Sequence, residues 1–152
     1  MQVSFTIPGQ PVGKGRPRFT RSGVIYTPER TKKYERLVKE CYREQCGNIN
    51  FGTTSIALYV KAYVTPLTKF RKAEKLAALK GELKPIAKPD ADNILKVILD
   101  ALNEVAYDDD RYIYKIEIER IYSETPHIDV IIRDQEKIEQ LQKDVCQNVM
   151  FS

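Results

Sequence analysis

Apolar and polar residues alternate over 2–7 (QVSFTI), a period that predicts a β-strand. The run PGQPVGKGRPR then breaks regular structure with its Gly and Pro. VIYT at 24–27 predicts a short strand, and Thr27-Pro28 reads as an N-cap with proline at the first helical position. The helix that follows is expected from 28 to about 46. Tyr34, Leu37, Val38, Cys41 and Tyr42 recur there at three- and four-residue spacing, and Gly47 stops it. Residues 54–64 (TSIALYVKAYV) predict a strand, and a basic helix is expected over about 68–80, ending at Gly81. Over 92–105 the apolar set Ile94, Leu95, Ile98, Leu99, Leu102 and Val105 predicts a helix with the polar stripe Asn93, Lys96, Asp100 and Asn103. Clean alternation predicts a strand over 112–122, HIDVIIR at 127–133 is expected as another, and a closing helix over 135–149 turns Ile138, Leu141, Val145 and Val149 inward. Strands and helices interleave, with two consecutive strands near the end. That order predicts one α/β (α+β) domain over 1–152, a mixed β-sheet with packed helices.

Composition narrows the class. A chain of 152 residues suits a single core, and 42% apolar with 30% charged residues is a globular balance rather than a disordered one. No stretch approaches the roughly 18 apolar residues that span a bilayer. MQVSFTIPG lacks the charged-then-apolar pattern of a secretory leader. Three cysteines, an odd number without CxxC spacing, argue against a disulfide framework or a zinc site; they are expected in core or half-buried places, and the cytoplasm is the expected compartment. Charge changes the picture more. Residues 1–88 hold 18 Lys and Arg against 6 acids, whereas residues 89–152 hold 7 against 15. So lopsided a chain points to a polyanionic partner for its first half.

The chemistry concentrates in KPDADNILKVILDAL. Asp90 and Asp92 stand at the mouth of the 92–105 helix, where the helix dipole favours carboxylates and where Asp92 or Asn93 is placed to cap. Lys96 follows Asp92 by one turn on the same face. Asp110 ends the run Asp108-Asp109-Asp110, directly before a strand that must return to the sheet, so the two acidic groups are expected to converge. Hard divalent cations take oxygen ligands, and with a lysine nearby such a set is sufficient for metal-assisted phosphodiester hydrolysis. The plainer alternative stays open: the two Asp only cap the helix, Lys96 only pairs with Asp100, and the triple Asp is a solvated turn. An EF-hand is set aside, because Leu95 stands where that loop needs Gly and Ala101 where it needs the bidentate Glu.

KPDADNILKVILDALNEVAYDDDRYI resembles the central motif of the RusA-type Holliday junction resolvases: K-P-D-x-D-N with a lysine three residues on, then D-A-L-N, then a paired Asp. FTIPGQPVGKGRPRFT and YTPERTKKYE resemble the opening of the same family, so the resemblance covers roughly 2–133. It implies that Asp90, Asp92 and Asp110 bind Mg2+, with Mn2+ as an alternative, and that Lys96 is the catalytic lysine. The register of the third Asp is open by one, to Asp109. The resemblance also implies a homodimer that nicks both strands of a four-way DNA junction, and a phage or prophage source. Two residues depart from the family pattern: Glu104 stands where Gly is usual and Tyr112 where Gln is usual.

The basic half supplies candidate DNA contacts. Lys14, Arg16, Arg18 and Arg21 crowd one Gly/Pro loop without acidic neighbours, an arrangement suited to tracking phosphates. Lys32, Lys33, Arg36 and Arg43, and Lys69, Arg71, Lys72 and Lys75, mark two helices whose charges serve equally as solvated faces. Phe70 is expected in the core, with base stacking the alternative. His127, which opens a strand, is expected at the surface or a strand edge rather than in catalysis. Two competing functions remain: a DNA-binding protein that has lost catalysis, and a less selective branched-DNA nuclease.

Overall fold

The computed structural model describes residues 1–134 and 145–148. In chain order the elements are β1 (Gln2–Pro8), β2 (Arg18–Phe19), β3 (Ile25–Tyr26), α1 (Glu29–Cys46), β4 (Ile56–Val64), α2 (Lys72–Leu79), α3 (Ala91–Leu102), a 3-10 turn (Asp110–Tyr112), β5 (Ile113–Tyr122) and β6 (His127–Asp134). The main sheet has the order β1-β6-β4-β5. β6 runs antiparallel to both β1 and β4, whereas β4 and β5 are parallel. The sheet is therefore mixed, as the interleaved pattern predicts. A parallel pair needs a crossover, and the chain from Thr65 to Tyr112 supplies it, carrying α2, α3 and the acidic run.

Burial follows the period of two. Val3, Phe5 and Ile7 of β1, Ile56, Leu58 and Val60 of β4, and Ile128, Val130 and Ile132 of β6 all turn to one face and are buried. α1 and α3 cover that face. α1 contributes Tyr34, Val38, Cys41 and Tyr42, and α3 contributes Ile94, Val97, Ile98, Ala101 and Leu102. Full burial of each large aliphatic side chain contributes about 1.5–3 kcal/mol, so α3 is fixed chiefly by its apolar stripe. A smaller cluster under α2 joins Val64, Ala78 and Tyr122 to Phe70, whose ring meets Tyr122 edge-on at 5.7 Å. Phe70 thus packs in the protein, as expected.

Several boundaries differ from the sequence reading. α1 begins at Glu29 with Pro28 as N-cap, not Thr27, because the extended Pro28 (ψ 144) has not entered the helix. α2 is shorter than 68–80 and starts where Glu74 accepts the Arg71 backbone N–H at 3.2 Å. α3 ends at Leu102 rather than 105, since Glu104 adopts a positive φ of 64° that no right-handed helix continues through. The helix expected over 135–149 lies largely outside the described residues; 145–148 are helical there, with Val145 exposed rather than inward. Cys41 and Cys46 are buried, but Cys146 is exposed.

Candidate functional site

The mouth of α3 is built by local rules. Asp90 is extended (φ −74, ψ 167) and its carboxylate accepts the Asn93 N–H at 3.0 Å, so Asp90 is the N-cap. The cap expected at Asp92 or Asn93 belongs two residues before Asp92, because the helix starts at Ala91 and Asp92 already lies in its first turn. Asp92 and Lys96 form an exposed i,i+4 ion pair at 3.0 Å. Lys96 therefore pairs with Asp92, not Asp100. Asp100 is taken by Lys14, whose ammonium also reaches Glu35 of α1 at 3.5 Å. Burial opposes the charge on Lys14, but Asp100 and Glu35 outweigh it and hold its pKa above the ordinary lysine value.

Two contacts that sequence reasoning missed position this mouth. Arg120, on the inward side of β5, donates to the carbonyls of Ala87 at 2.8 Å and Pro89 at 3.3 Å. It ties down the turn that presents Asp90. Its only sequence signal is a cation at an inward position of an alternating strand. Gly13 allows the N-terminal loop to close on the same turn. A Cβ there would lie 2.7 Å from Pro89 Cβ and 3.1 Å from Asn93 Cβ, and the neighbouring Lys14 N–H donates to Asn93 O at 3.0 Å. The result is a cleft of about 550 Å³ in which Asp90 and Asn93 face Lys14, Arg16, Arg30 and Lys88. Arg18 lines an adjoining groove of about 310 Å³ that shares Gly13, Arg16 and Arg30 with the cleft. Arg21 lines neither of these hollows; it is exposed in the turn between β2 and β3.

The second acidic group lies at the other end of α3. Asp109 accepts the Arg111 N–H at 2.9 Å, and this bond above all holds its carboxyl below the usual range. Partial desolvation raises Asp110, and the adjacent Asp109 and then Asp100 add to it. The charge of Asp100 thus links Asp110 to the far end of the helix. Asp92 and Asp100 are separated by eight residues, about 12 Å of helix. The expected convergence of Asp90, Asp92 and Asp110 is not observed: among the described residues no three Asp, Glu, His or Cys side chains lie together as a metal-ion group.

The remaining singled-out residues resolve plainly. His127 stacks on Tyr63 at 4.3 Å and faces Thr125 and Asp129 on the open side of the sheet. Glu104 is exposed, and its backbone N–H donates to Tyr107 O at 2.8 Å. The Tyr112 hydroxyl accepts from Arg111 at 2.7 Å, with the guanidinium 4.9 Å from its ring.

A carboxylate fixed at a helix mouth inside a cationic cleft defines a domain suited to meeting a phosphodiester chain. The chain belongs to the RusA family: the family model described as Endodeoxyribonuclease RusA matches residues 8–133. Members of that family are Holliday junction resolvases, nucleases that act on branched DNA and generally depend on a divalent metal. The chain is also 36% identical over 141 residues to the uncharacterized protein YqaN of Bacillus subtilis strain 168, covering 87% of this chain and 96% of that protein. No helix among the described residues is long and apolar enough to cross a membrane.

Proposed function

We propose that this protein nicks four-way DNA junctions symmetrically as a homodimer, with Mg2+ or Mn2+ held by Asp90, Asp92 and Asp110 and with Lys96 beside the scissile phosphate. The observation that carries this reading is the Asp90 carboxylate in a cleft whose other charged lining residues, Lys14, Arg16, Arg30 and Lys88, are all cations. The donor chemistry fits a hard dication, because every candidate ligand is a carboxylate oxygen. Among the described residues one chain does not gather the three acids into a metal-ion group. A bound dication would supply charge neutralisation on the phosphodiester and an activated water.

The chain's own residues do the rest. Arg16, Arg30 and Lys88 attract the phosphate backbone, and the capping bond holds Asp90 at a fixed orientation toward it. Lys96 leaves Asp92 at little cost, since an exposed pair of this kind contributes only about 0.3–0.5 kcal/mol. Its ammonium is then free to stabilise charge on the phosphate. The test is cleavage of a synthetic four-way junction beside a matched linear duplex, with and without Mg2+. Paired nicks on the junction only, requiring metal, are expected. Tight junction binding without nicks in either metal would leave a binding protein, and equal cutting of both substrates a general nuclease.

A further inference from the structure

The hairpin of β2 and β3 has no function in the cleft, yet it holds a concentration of exposed apolar side chains. Phe19 is 69%, Ile25 63% and Val24 57% exposed. Single exposed apolar residues are ordinary, but a cluster on one small projection marks a contact surface. The hairpin is well made rather than loose. Phe19 and Ile25 are direct cross-strand partners, Thr20 N–H donates to Val24 O at 2.9 Å, and Gly23 takes the positive φ of 83° the turn requires. Directly paired residues share a face, so Phe19 and Ile25 form one apolar edge.

The charge around that edge selects the partner. Between Gly9 and Pro28 the chain carries Lys14, Arg16, Arg18 and Arg21 and no acid. All three arginines are exposed, and none makes an ion pair among the described residues. An apolar edge ringed by free guanidinium groups is disfavoured against a protein core or a neutral surface. It suits nucleic acid, where cations take phosphates and an apolar wedge enters between bases. The adjoining groove leads from Arg18 through Arg16 and Arg30 to the cleft of Asp90, so DNA on the hairpin is continuous with DNA at the carboxylate.

We infer that Phe19, backed by Ile25, is a wedge that unstacks bases at the branch point of the junction while the Asp90 cleft receives the adjoining phosphate. This rests on the reading of the protein as a junction nuclease and goes beyond it by naming what recognises the branch. Bases at a branch point are already partly unstacked, so a wedge enters there at less cost than in a continuous duplex. The wedge therefore supplies a preference for junctions that phosphate contacts alone do not.

The test uses a four-way junction carrying 2-aminopurine at the branch point, with the full chain in EDTA so that nothing is cut. Binding is followed by anisotropy and unstacking by fluorescence. Wild type is expected to raise the fluorescence on binding. The F19A/I25A variant is expected to bind without the rise and to lose about tenfold in junction over duplex preference, the scale of one lost stacking contact. F19W is expected to retain both. Two results overturn the wedge alone: wild type binding with no rise, or F19A/I25A raising it as wild type does. A change in sedimentation of F19A/I25A with its fluorescence rise intact would also overturn it, by assigning the edge to contact between copies of the chain. Failure of wild type to bind the junction at all would overturn the parent reading instead.

Discussion

Replacing Glu104 with glycine is expected to stabilise the protein. Glu104 sits at φ 64° in the turn that follows α3. The left-handed region brings Cβ against the carbonyl oxygen and costs a non-glycine residue roughly 1–2 kcal/mol. Glutamate is held there by the turn itself: Glu104 N–H donates to Tyr107 O at 2.8 Å, and Ala106 N–H to Leu102 O at 2.9 Å. Its side chain is exposed and makes no hydrogen bond or ion pair among the described residues, so truncation removes no contact. Against the relieved strain stands the greater freedom of glycine in the unfolded chain, about 0.5–1 kcal/mol. The net gain for Glu104→Gly is therefore about 0.5–1 kcal/mol. Urea denaturation should move its midpoint up by roughly 0.3–0.5 M for a slope near 2 kcal/mol/M. The melting temperature should rise by about 1–4 °C. Glu104→Ala keeps the Cβ and should show no such gain. If the glycine variant melts no higher than the alanine variant, the strain assigned to this turn is not there.

Three further outcomes follow from the site. Asn caps a helix as well as Asp does, so Asp90→Asn should keep wild-type stability and junction binding while losing cleavage, whereas Asp90→Ala should also lose about 1 kcal/mol in urea denaturation; full cleavage by Asp90→Asn would remove this residue from the site. The K14A/R16A/R18A variant should bind the junction more weakly and lower the salt slope by about 2 rather than about 3, because Lys14 is already engaged by Asp100 and Glu35; an unchanged slope would take the loop off the DNA surface. Arg120→Met removes two hydrogen bonds from a charged donor and should cost about 2–4 kcal/mol on unfolding, with single-turnover cleavage down at least about tenfold as the Asp90 turn loosens. A variant as stable and as fast as wild type would show that the turn needs no such tether.

The elements that bury one face were legible because period alone determines them. β1 alternates cleanly, and the apolar stripe of α3 marked the helix and its buried Ile94, Ile98 and Leu102, although Val97 and Ala101 are buried in place of the expected Leu95, Leu99 and Val105, which are only partly covered. Boundaries were less legible wherever backbone geometry rather than burial sets them. Pro28, Asp90 and Glu104 each move an end by one to three residues through φ and ψ values that hydropathy does not encode. In the site, sequence spacing placed Asp92 and Lys96 on one face correctly. It could not tell that Lys14, 86 positions away in the chain, would take Asp100. Nor could it find Arg120, whose partners are backbone carbonyls present at every residue. Nor does spacing fix where the loop after α3 carries Asp109 and Asp110; among the described residues the acids do not form a metal-ion group.

The position of β6 has a consequence for how the molecule is made. β6 is the last strand in the chain among the described residues, yet it stands second in the sheet, as the only sheet neighbour of β1 and one of two neighbours of β4. A growing chain on the ribosome therefore holds β1 without a partner until residues 127–134 have emerged. The Asp90 turn likewise lacks its Arg120 tether until that residue is out. Synthesis in order delays the long-range pairings that complete the sheet, and folding waits on them. The acid-bearing turn thus gains its full support only when nearly the whole domain is available, and a chain truncated before Arg120 lacks part of the frame on which a DNA-cutting site is built.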